Sequence, residues 1–563
     1  MKAFDFLQMV MYFGSLALLT PLLGKYLIKV YMGGRHFLSG MLGPLERVIY
    51  RWSGIRPEQE MPWTAYLAAL LWLHGLGFAL LVAILRMQSW LPLNPQRFEA
   101  VPWALALNIG VSFVTNTDWQ AYAGEIQLSY LSQMLGLTVQ FFLSAAAGMA
   151  VLVALGRGLA RWNATTVGNF WVDLTRTVIY ILLPAAVVLC AILAAQGTVQ
   201  TLRPYVAAET LEGGRQVIPL GPVASHTAIK VLGTNGGGFF NANSSHPFEN
   251  PTPLTNFMQI LAMMILPAAC TSLFGRMIGS RRHGWILFWV MSVFFLASVM
   301  LAWWGQSMKN PVTGTAIWLE GKEWRFGVFG SIYYAMATTA AACGAVNALH
   351  DSLSPLAGMA GMINMLQGEV VFGGAGTGMY TMVLYAIMTV FLAGLMVGRT
   401  PEYIGKKIEG PEVVWALVGI FSTSMTSMVG AAVACITPAA LAGLGSAGPH
   451  GLSELLYAYA SCSGNNGSAF AGLDSSRPFY LGTLAAAMLV GRFGVIVPVL
   501  AVAGSLVRKR TMPPNPGVLP ADTLTFGMVL AGVILIVGLL NFFPMLAMGP
   551  LAEHLLMLRG RTF

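Results

Sequence analysis

The sequence predicts an all-α polytopic membrane protein of about ten transmembrane helices, folded as four span–loop–span repeats. Three observations predict it. The 563-residue chain is 56% hydrophobic and only 9% charged, against roughly 25% charged for a soluble domain. Its apolar runs reach the ~20 residues that a helix needs to cross a bilayer. Four short polar strings interrupt those runs: Thr115-Asn116-Thr117, Thr234-Asn235-Gly236-Gly237-Gly238, Cys343-Gly344-Ala345 and Asn465-Asn466-Gly467-Ser468. Irregular polar backbone survives at bilayer depth only where it is buried in protein or lines water.

The first run, near Phe4 to Leu23, reads as a retained helix. A signal peptide carries its positive charge before the apolar core, whereas here only Lys2 precedes it and Lys25, Lys29 and Arg35 follow. The ten spans are expected near 4–24, 62–86, 126–155, 173–196, 255–278, 284–304, 356–397, 412–436, 478–505 and 524–547. Basic residues concentrate in alternate connections: Lys25 to Arg56, Arg157 and Arg161, Arg276 to Arg282, Arg399 to Lys407, and Arg508 to Arg510. The positive-inside rule makes these loops cytoplasmic. Both termini and all four strings are then external. The net charge of +9 is spread over the ends of apolar runs, with no basic face that would read nucleic acid. The five cysteines form no CxxC pair. Four lie in apolar runs, where a thiol acts as a small hydrophobe, and Cys343 adjoins a string glycine. His226, His246, His350 and His450 lie in outer segments without metal-ligand spacing, so no metal site is expected there.

Each string lies between two spans, which defines four repeats. From Thr117 to Arg157, and again from Gly236 to Arg276, the spacing is 40 residues, and from Gly467 to Arg508 it is 41. From Gly344 to Arg399 it is 55. The surplus falls on the glycine-dense segment Gly368 to Gly378. Glycine at that density weakens a helix, so the seventh span is expected to break in mid-membrane, with the insert forming a loop below the strings. The plainer reading is a flexible helix with small residues for close packing.

Four strings in one repeat suggest pore loops whose main-chain carbonyls replace the water around a cation. Glycine permits the backbone this needs, while Asn and Thr brace it from behind. The strings are polar but uncharged, and Thr117 stands where the other repeats have glycine, which makes that position geometrically distinct. Isolated Asn-Gly pairs would be ordinary turns; four in register are not. Asp118 and Glu125 are expected in the outer mouth, raising local cation concentration. Two intramembrane charges are costly in lipid and hence functional or paired. For Arg492 the readings are a fixed charge gating or steering the ion, or a clamp on carbonyls of the broken helix. For Glu369 they are a cation relay or a structural partner of an arginine. Gly373, Gly374 and Arg399 join them as gating or coupling candidates.

Longer motifs extend this reading. The chain carries SFVTNTDWQAY at Ser112–Tyr122, TNGGGFFNANSSHPFENP at Thr234–Pro251, CGAVNALHDS at Cys343–Ser352 and GEVVFGG at Gly368–Gly374. It also carries GRTPEYIGKKI at Gly398–Ile408, NNGSAFAGL at Asn465–Leu473 and VGRFGVI at Val490–Ile496. Together they resemble the KdpA family, the potassium-binding subunits of bacterial Kdp potassium-transporting P-type ATPases, over essentially the whole chain. The resemblance implies the fold of the potassium-transporter superfamily, with four membrane–pore–membrane repeats and one extra helix at each end. The expected divisions are 1–61, 62–161, 162–282, 283–411, 412–510 and 511–563. It implies K+ as the transported ion, held by Thr115, Asn116, Thr117, Thr234, Asn235, Gly236, Cys343, Gly344, Asn465, Asn466 and Gly467. It further implies a bacterial inner-membrane complex with KdpB, which hydrolyses ATP, and with KdpC and KdpF. Potassium would enter from outside and pass through an intramembrane tunnel to KdpB. The broken third repeat would block direct exit. Gly464 departs from the family's usual Asn, which suggests a looser fourth loop.

The chain holds neither GxxxxGK[ST] nor DKTGT, so neither a P-loop nucleotide cradle nor the phosphorylation motif of a P-type pump is present. No nucleotide and no other metal are expected, and ATP hydrolysis is assigned to another polypeptide. The alternatives are a stand-alone Trk- or Ktr-type channel or symporter subunit, and a non-transporting scaffold. The first lacks the two added helices and the quoted motifs. The second has no reason to place polar backbone at one depth.

Overall fold

The structure is a computed structural model and describes residues 3–315, 318–398, 400–512 and 519–561. Lys2 and Arg399 lie outside the described residues. Among the described residues, ten helices are long and apolar enough to cross a membrane, and shorter helices lie between them, including four pore helices and one half-span. The first repeat is α2 (Trp63–Met87), the pore helix α3 (Trp103–Val114) and α4 (Ser132–Ala160). It is preceded by α1 (Ala3–Tyr31). The second is α5 (Phe170–Ala195), α6 (Val223–Leu232) and α7 (Pro253–Met277). The third is α8 (Arg281–Ser307), α9 (Gly327–Ala340), the half-span α10 (Pro355–Leu366) and α11 (Thr377–Val397). The fourth is α12 (Gly410–Ile436), α13 (Gly448–Ser463) and α14 (Pro478–Leu506), followed by the kinked α15 (Leu524–Leu558).

Local chemistry explains the boundaries. Asn169 caps α5 by accepting from the Trp171 and Val172 N–H groups. Thr252 and Thr255 form a capping box at α7, and Glu409 and Glu412 form one at α12, with Pro253 at the first position of α7 and Pro411 at the second of α12, where a missing N–H costs nothing. The seventh span is broken as expected. α10 ends at Leu366, the chain turns through residues 367–376, and α11 resumes at Thr377. Positive φ at Gly368, Glu369, Phe372, Gly373 and Gly376 excludes a continuous helix there.

Lipid tails offer no hydrophobic drive between helices, so close backbone approach and buried polar contacts hold the bundle together. A Cβ on Gly275 would overlap Gly284, and one on Gly158 would overlap Ala503. The Arg157 guanidinium grips Asp173 at 2.6 and 2.7 Å, and Tyr66 Oη donates to the same carboxylate at 2.9 Å. This joins the first repeat to the second. α1 runs beside α7: Tyr12 stacks on Phe257 at one end, and Arg276 donates to the Pro21 carbonyl at the other. Exposed tryptophans at helix ends, including Trp52, Trp90, Trp103, Trp162, Trp304 and Trp324, match the aromatic belts of a spanning protein.

Among the described residues, two hairpins stand outside the spans. Strands β1 (Val206–Glu209) and β2 (Arg215–Ile218) pair on the string-bearing side. Strands β3 (Glu402–Tyr403) and β4 (Lys406–Lys407) pair at the other. Lys406 is buried and donates to the carbonyls of Arg161 and Lys509. Tyr403 meets His283 at 2.8 Å. The GRTPEYIGKKI segment thereby ties together the connections of the first, third and fourth repeats.

Candidate functional site: a ring of four strings

Each pore helix delivers its string through the same turn, seven residues long: Ser112–Asp118, Lys230–Gly236, Thr338–Gly344 and Ser461–Gly467. In each, the sixth residue donates its N–H to the carbonyl of the first. The distances are 3.0 Å for Thr117 to Ser112, 2.9 Å for Asn235 to Lys230, 3.0 Å for Cys343 to Thr338 and 2.8 Å for Asn466 to Ser461. The fifth residue is left-handed every time, with φ of +63° at Asn116, +51° at Thr234, +46° at Ala342 and +47° at Asn465. The backbone therefore aligns Thr117 with Asn235, Cys343 and Asn466, and it places Asp118 with Gly236, Gly344 and Gly467. This corrects the expectation that Thr117 replaces the glycine. It also corrects the expectation that the strings carry no charge. The turn sets the register, and the Asn and Thr side chains do not reveal it.

The seventh residues meet the neighbouring repeat. A Cβ on Gly236 would overlap the Cys343 carbonyl, one on Gly344 the Asn466 carbonyl, and one on Gly467 the Thr117 carbonyl. The fourth junction is a side-chain contact, with Asn235 Nδ2 donating to Asp118 Oδ2 at 2.9 Å. The repeats thus follow one another around a single axis in chain order. Gly344 and Gly467 also need glycine for their φ of +78° and +94°. Gly236 is not left-handed, so close approach alone requires it. All four pore helices end at this ring, so the negative ends of their dipoles favour a cation there.

Side chains brace the ring from behind. Asn116 Nδ2 donates to the Thr234 carbonyl at 2.8 Å, and Asn465 Nδ2 donates to Thr117 Oγ1 at 2.8 Å. Asn466 Nδ2 reaches the Thr338 carbonyl at 2.9 Å, and Thr115 Oγ1 lies 2.8 Å from Thr117 Oγ1. Gly464 ends its pore helix where Gly233 ends another, in the same backbone conformation, so the fourth loop is no looser than the second. Sequence reasoning missed the strongest brace. Buried Lys230 Nζ binds Glu249 Oε2 at 2.5 Å, Asn243 Oδ1 at 2.8 Å and Ser244 Oγ at 2.9 Å, while Asn243 Nδ2 holds the Gly236 carbonyl at 2.5 Å. The available signal was the polar residue six positions before each seventh residue: Ser112, Lys230, Thr338 and Ser461.

Above the ring opens a vestibule of about 690 Å³ whose floor includes Asp118, Gly236, Gly344 and Gly467. Asp118 is therefore part of the ring, one step deeper than the outer mouth expected for it. Glu125 does not line the vestibule; its carboxylate accepts the Asn241 N–H at 2.9 Å and so braces the second repeat's loop. Lys322 stands in the vestibule wall, donating to the Glu320 and Ser352 carbonyls at 3.0 Å. Burial pushes its pKa down to about 8. To the side, His450 bridges Asp351 at 3.1 Å and Glu553 at 2.9 Å, with Glu454 close by. Although the histidine spacing shows no such cluster, the fold gathers these groups from three segments.

Below the ring the space narrows to about 10 Å³, room for one water. Glu369 and Arg492 both line it, together with Asn465 of the ring. The two charges form no ion pair. Arg492 Nη2 donates to the Ser144 carbonyl at 2.6 Å. It holds α4 of the first repeat and not the broken helix, which corrects the clamp as expected. The 367–376 loop packs against the underside of the ring. The Gly373 N–H donates to the Ala340 carbonyl at 2.9 Å, and the Ala375 N–H donates to Thr234 Oγ1 at 2.8 Å. Gly374 packs against the same threonine, and a Cβ on Gly376 would overlap the Gly148 carbonyl.

A model of the family described as KdpA, potassium-transporting ATPase A subunit, matches residues 10–555. The chain belongs to this family. Among its relatives, the potassium-transporting ATPase potassium-binding subunit of Methylobacterium nodulans is 54% identical over 552 residues, covering 97% of this chain and 96% of the relative. The subunit of the same description from Rhodospirillum centenum is 52% identical over 569 residues, covering 100% and 99%. That of Mesorhizobium japonicum is 50% identical over 562 residues, with 99% of each chain covered. The potassium transporter TrkH of Vibrio parahaemolyticus superposes with a TM-score of 0.50 at 13% identity, over 87% of this chain and 96% of its own. At that identity the likeness is one of fold, and KdpA membership rests on the sequence relatives.

Proposed function

We propose that this chain binds external potassium in the four-string ring and passes it through the membrane to a separate ATP-hydrolysing subunit of a potassium uptake pump. The carrying observation is the ring itself, where the seventh residues of four repeats meet at the floor of an outer vestibule beside the main-chain carbonyls of Thr117, Cys343 and Asn466, in a member of a potassium-binding subunit family. Carbonyls of moderate field suit a large, easily dehydrated cation. Thr115, Asn116, Thr117, Thr234, Asn235, Gly236, Cys343, Gly344, Asn465, Asn466 and Gly467 form or brace the site. The chain is a transporter component, and the hydrolysing partner is KdpB, assembled with KdpC and KdpF in the bacterial inner membrane. The strings and both termini face outwards. The loop packed beneath the ring supports sideways diversion of the ion toward KdpB, with Glu369, Gly373, Gly374 and Arg492 at the turning point and Arg399 further along as a coupling residue. The TrkH fold supports a second reading, a channel or symporter subunit of Trk or Ktr type. Co-purification followed by an ATPase assay separates them. The pump reading expects no vanadate-sensitive hydrolysis by the chain alone and potassium-stimulated hydrolysis by the assembled complex. Passive potassium flux through the chain in proteoliposomes, without a partner or ATP, would favour the second reading.

A further inference from the structure

The seventh position of the string turn is glycine in three repeats and Asp118 in the first, and all four residues line the vestibule floor. Asp118 is 1% exposed and left-handed, with φ of +56°, a conformation that Asp adopts more readily than most residues. Its Oδ2 accepts from Asn235 Nδ2 at 2.9 Å. Its Oδ1 is buried and meets no donor in the protein. A carboxylate oxygen removed from water is costly unless it is hydrogen-bonded or compensated by a cation. No cationic side chain among the described residues donates to Asp118: Lys230 is paired with Glu249, and Arg492, which lines the space below the ring, donates to the Ser144 carbonyl. A small cation held at the ring would compensate this oxygen.

We infer that Asp118 supplies a carboxylate at the outer entrance of the ring, ionised when the entering monovalent cation lies beside it, and that it assists the carbonyls in holding that ion. This rests on reading the ring as the potassium site and adds the residue that sets its strength. A full charge beside partial carbonyl charges raises affinity for every cation. It raises it most for ions smaller than potassium, because a stronger field repays their larger dehydration cost. The first repeat therefore contributes attraction, and the three glycine repeats contribute discrimination.

Asp118→Asn in the intact complex is the test, because it keeps the shape and the bond from Asn235 while removing the charge. The half-activating potassium concentration of ATP hydrolysis should rise by roughly tenfold or more, and sodium should compete less well than in the unmodified complex. Asp118→Ser, with a smaller side chain, should act in the same direction if the Asn variant fails to assemble, and Asp118→Glu should restore part of the affinity. An unchanged half-activating concentration in the charge-removed variants, or a loss of maximal rate alone, would overturn the inference. Gly467→Asp is measured in parallel. If it impairs potassium activation while Asp118→Asn does not, only the role of Asp118 fails. If neither has any effect, the reading of the ring as the potassium site fails too.

Discussion

Asp118 shows what one residue can hide. By residue type, Thr115-Asn116-Thr117 pairs naturally with Thr234-Asn235-Gly236, and that pairing is off by one. The i to i−5 hydrogen bond and the left-handed fifth residue fix the true register, and both are backbone properties that residue identity only hints at. His450 is a second case. It lies far in sequence from Asp351 and Glu553 yet bridges them at 3.1 and 2.9 Å. Burial alone would lower its pKa, but the hydrogen bonds and charges of the two carboxylates raise it to about 10. A raised folded-state pKa stabilises the fold fully below the ordinary value of 6.5, and the contribution is lost as pH rises through about 10. His450→Gln should therefore destabilise the complex at pH 6 by about 1–3 kcal/mol, between the values for an exposed and a buried pair. The gap between variant and parent should close toward pH 10. Thermal unfolding followed across that range checks this, and a gap independent of pH would refute it.

At the scale of elements, sequence reading succeeded where length and polarity decide. The ten spans emerge from apolar runs because a bilayer demands about 20 apolar residues whatever the tertiary contacts. The broken seventh span emerged because 55 residues replaced about 40. What stayed hidden were the contacts the loop makes, such as Ala375 with Thr234 and Gly373 with Ala340, since these pair residues far apart in the chain. The Lys230–Glu249 pair was equally invisible, as a lysine in a ten-residue amphiphilic stretch looks like a helix end facing solvent. The loop's contacts give it a task. Deleting part of Gly373 to Gly378 in the assembled complex should open a passive potassium leak, seen as ATP-independent flux in proteoliposomes. A folded, assembled deletion variant with no more leak than the parent would mean that the loop is not the barrier.

The whole molecule is four copies of one small motif, arranged so that no copy makes a site alone. Each seventh residue rests against the neighbour's string, and each pore helix points its carbonyl end at the shared axis. The sidedness of that arrangement is open to direct test. Lys406 is buried and unsuited to labelling, but Lys407 and Ala447 are exposed on opposite sides. In intact cells, an impermeant thiol reagent should label a cysteine at 447 and leave one at 407 unmodified; the reverse pattern would invert the assigned topology.

The central claim is that the four strings form one potassium site, and potassium activation of variants with a side chain forced into the ring tests it most directly. Gly236→Asp, Gly344→Asp and Gly467→Asp each place a Cβ against a neighbouring carbonyl and a carboxylate among carbonyls. The account predicts that each raises the half-activating potassium concentration by roughly tenfold or more, because the side chain displaces the neighbouring carbonyls, and that the distorted ring lets other monovalent ions compete. Gly344 and Gly467 should be the more sensitive, because their φ of +78° and +94° lies beyond the +56° at which Asp118 sits. Three variants that assemble and keep the parent's potassium affinity and ion preference would contradict the claim.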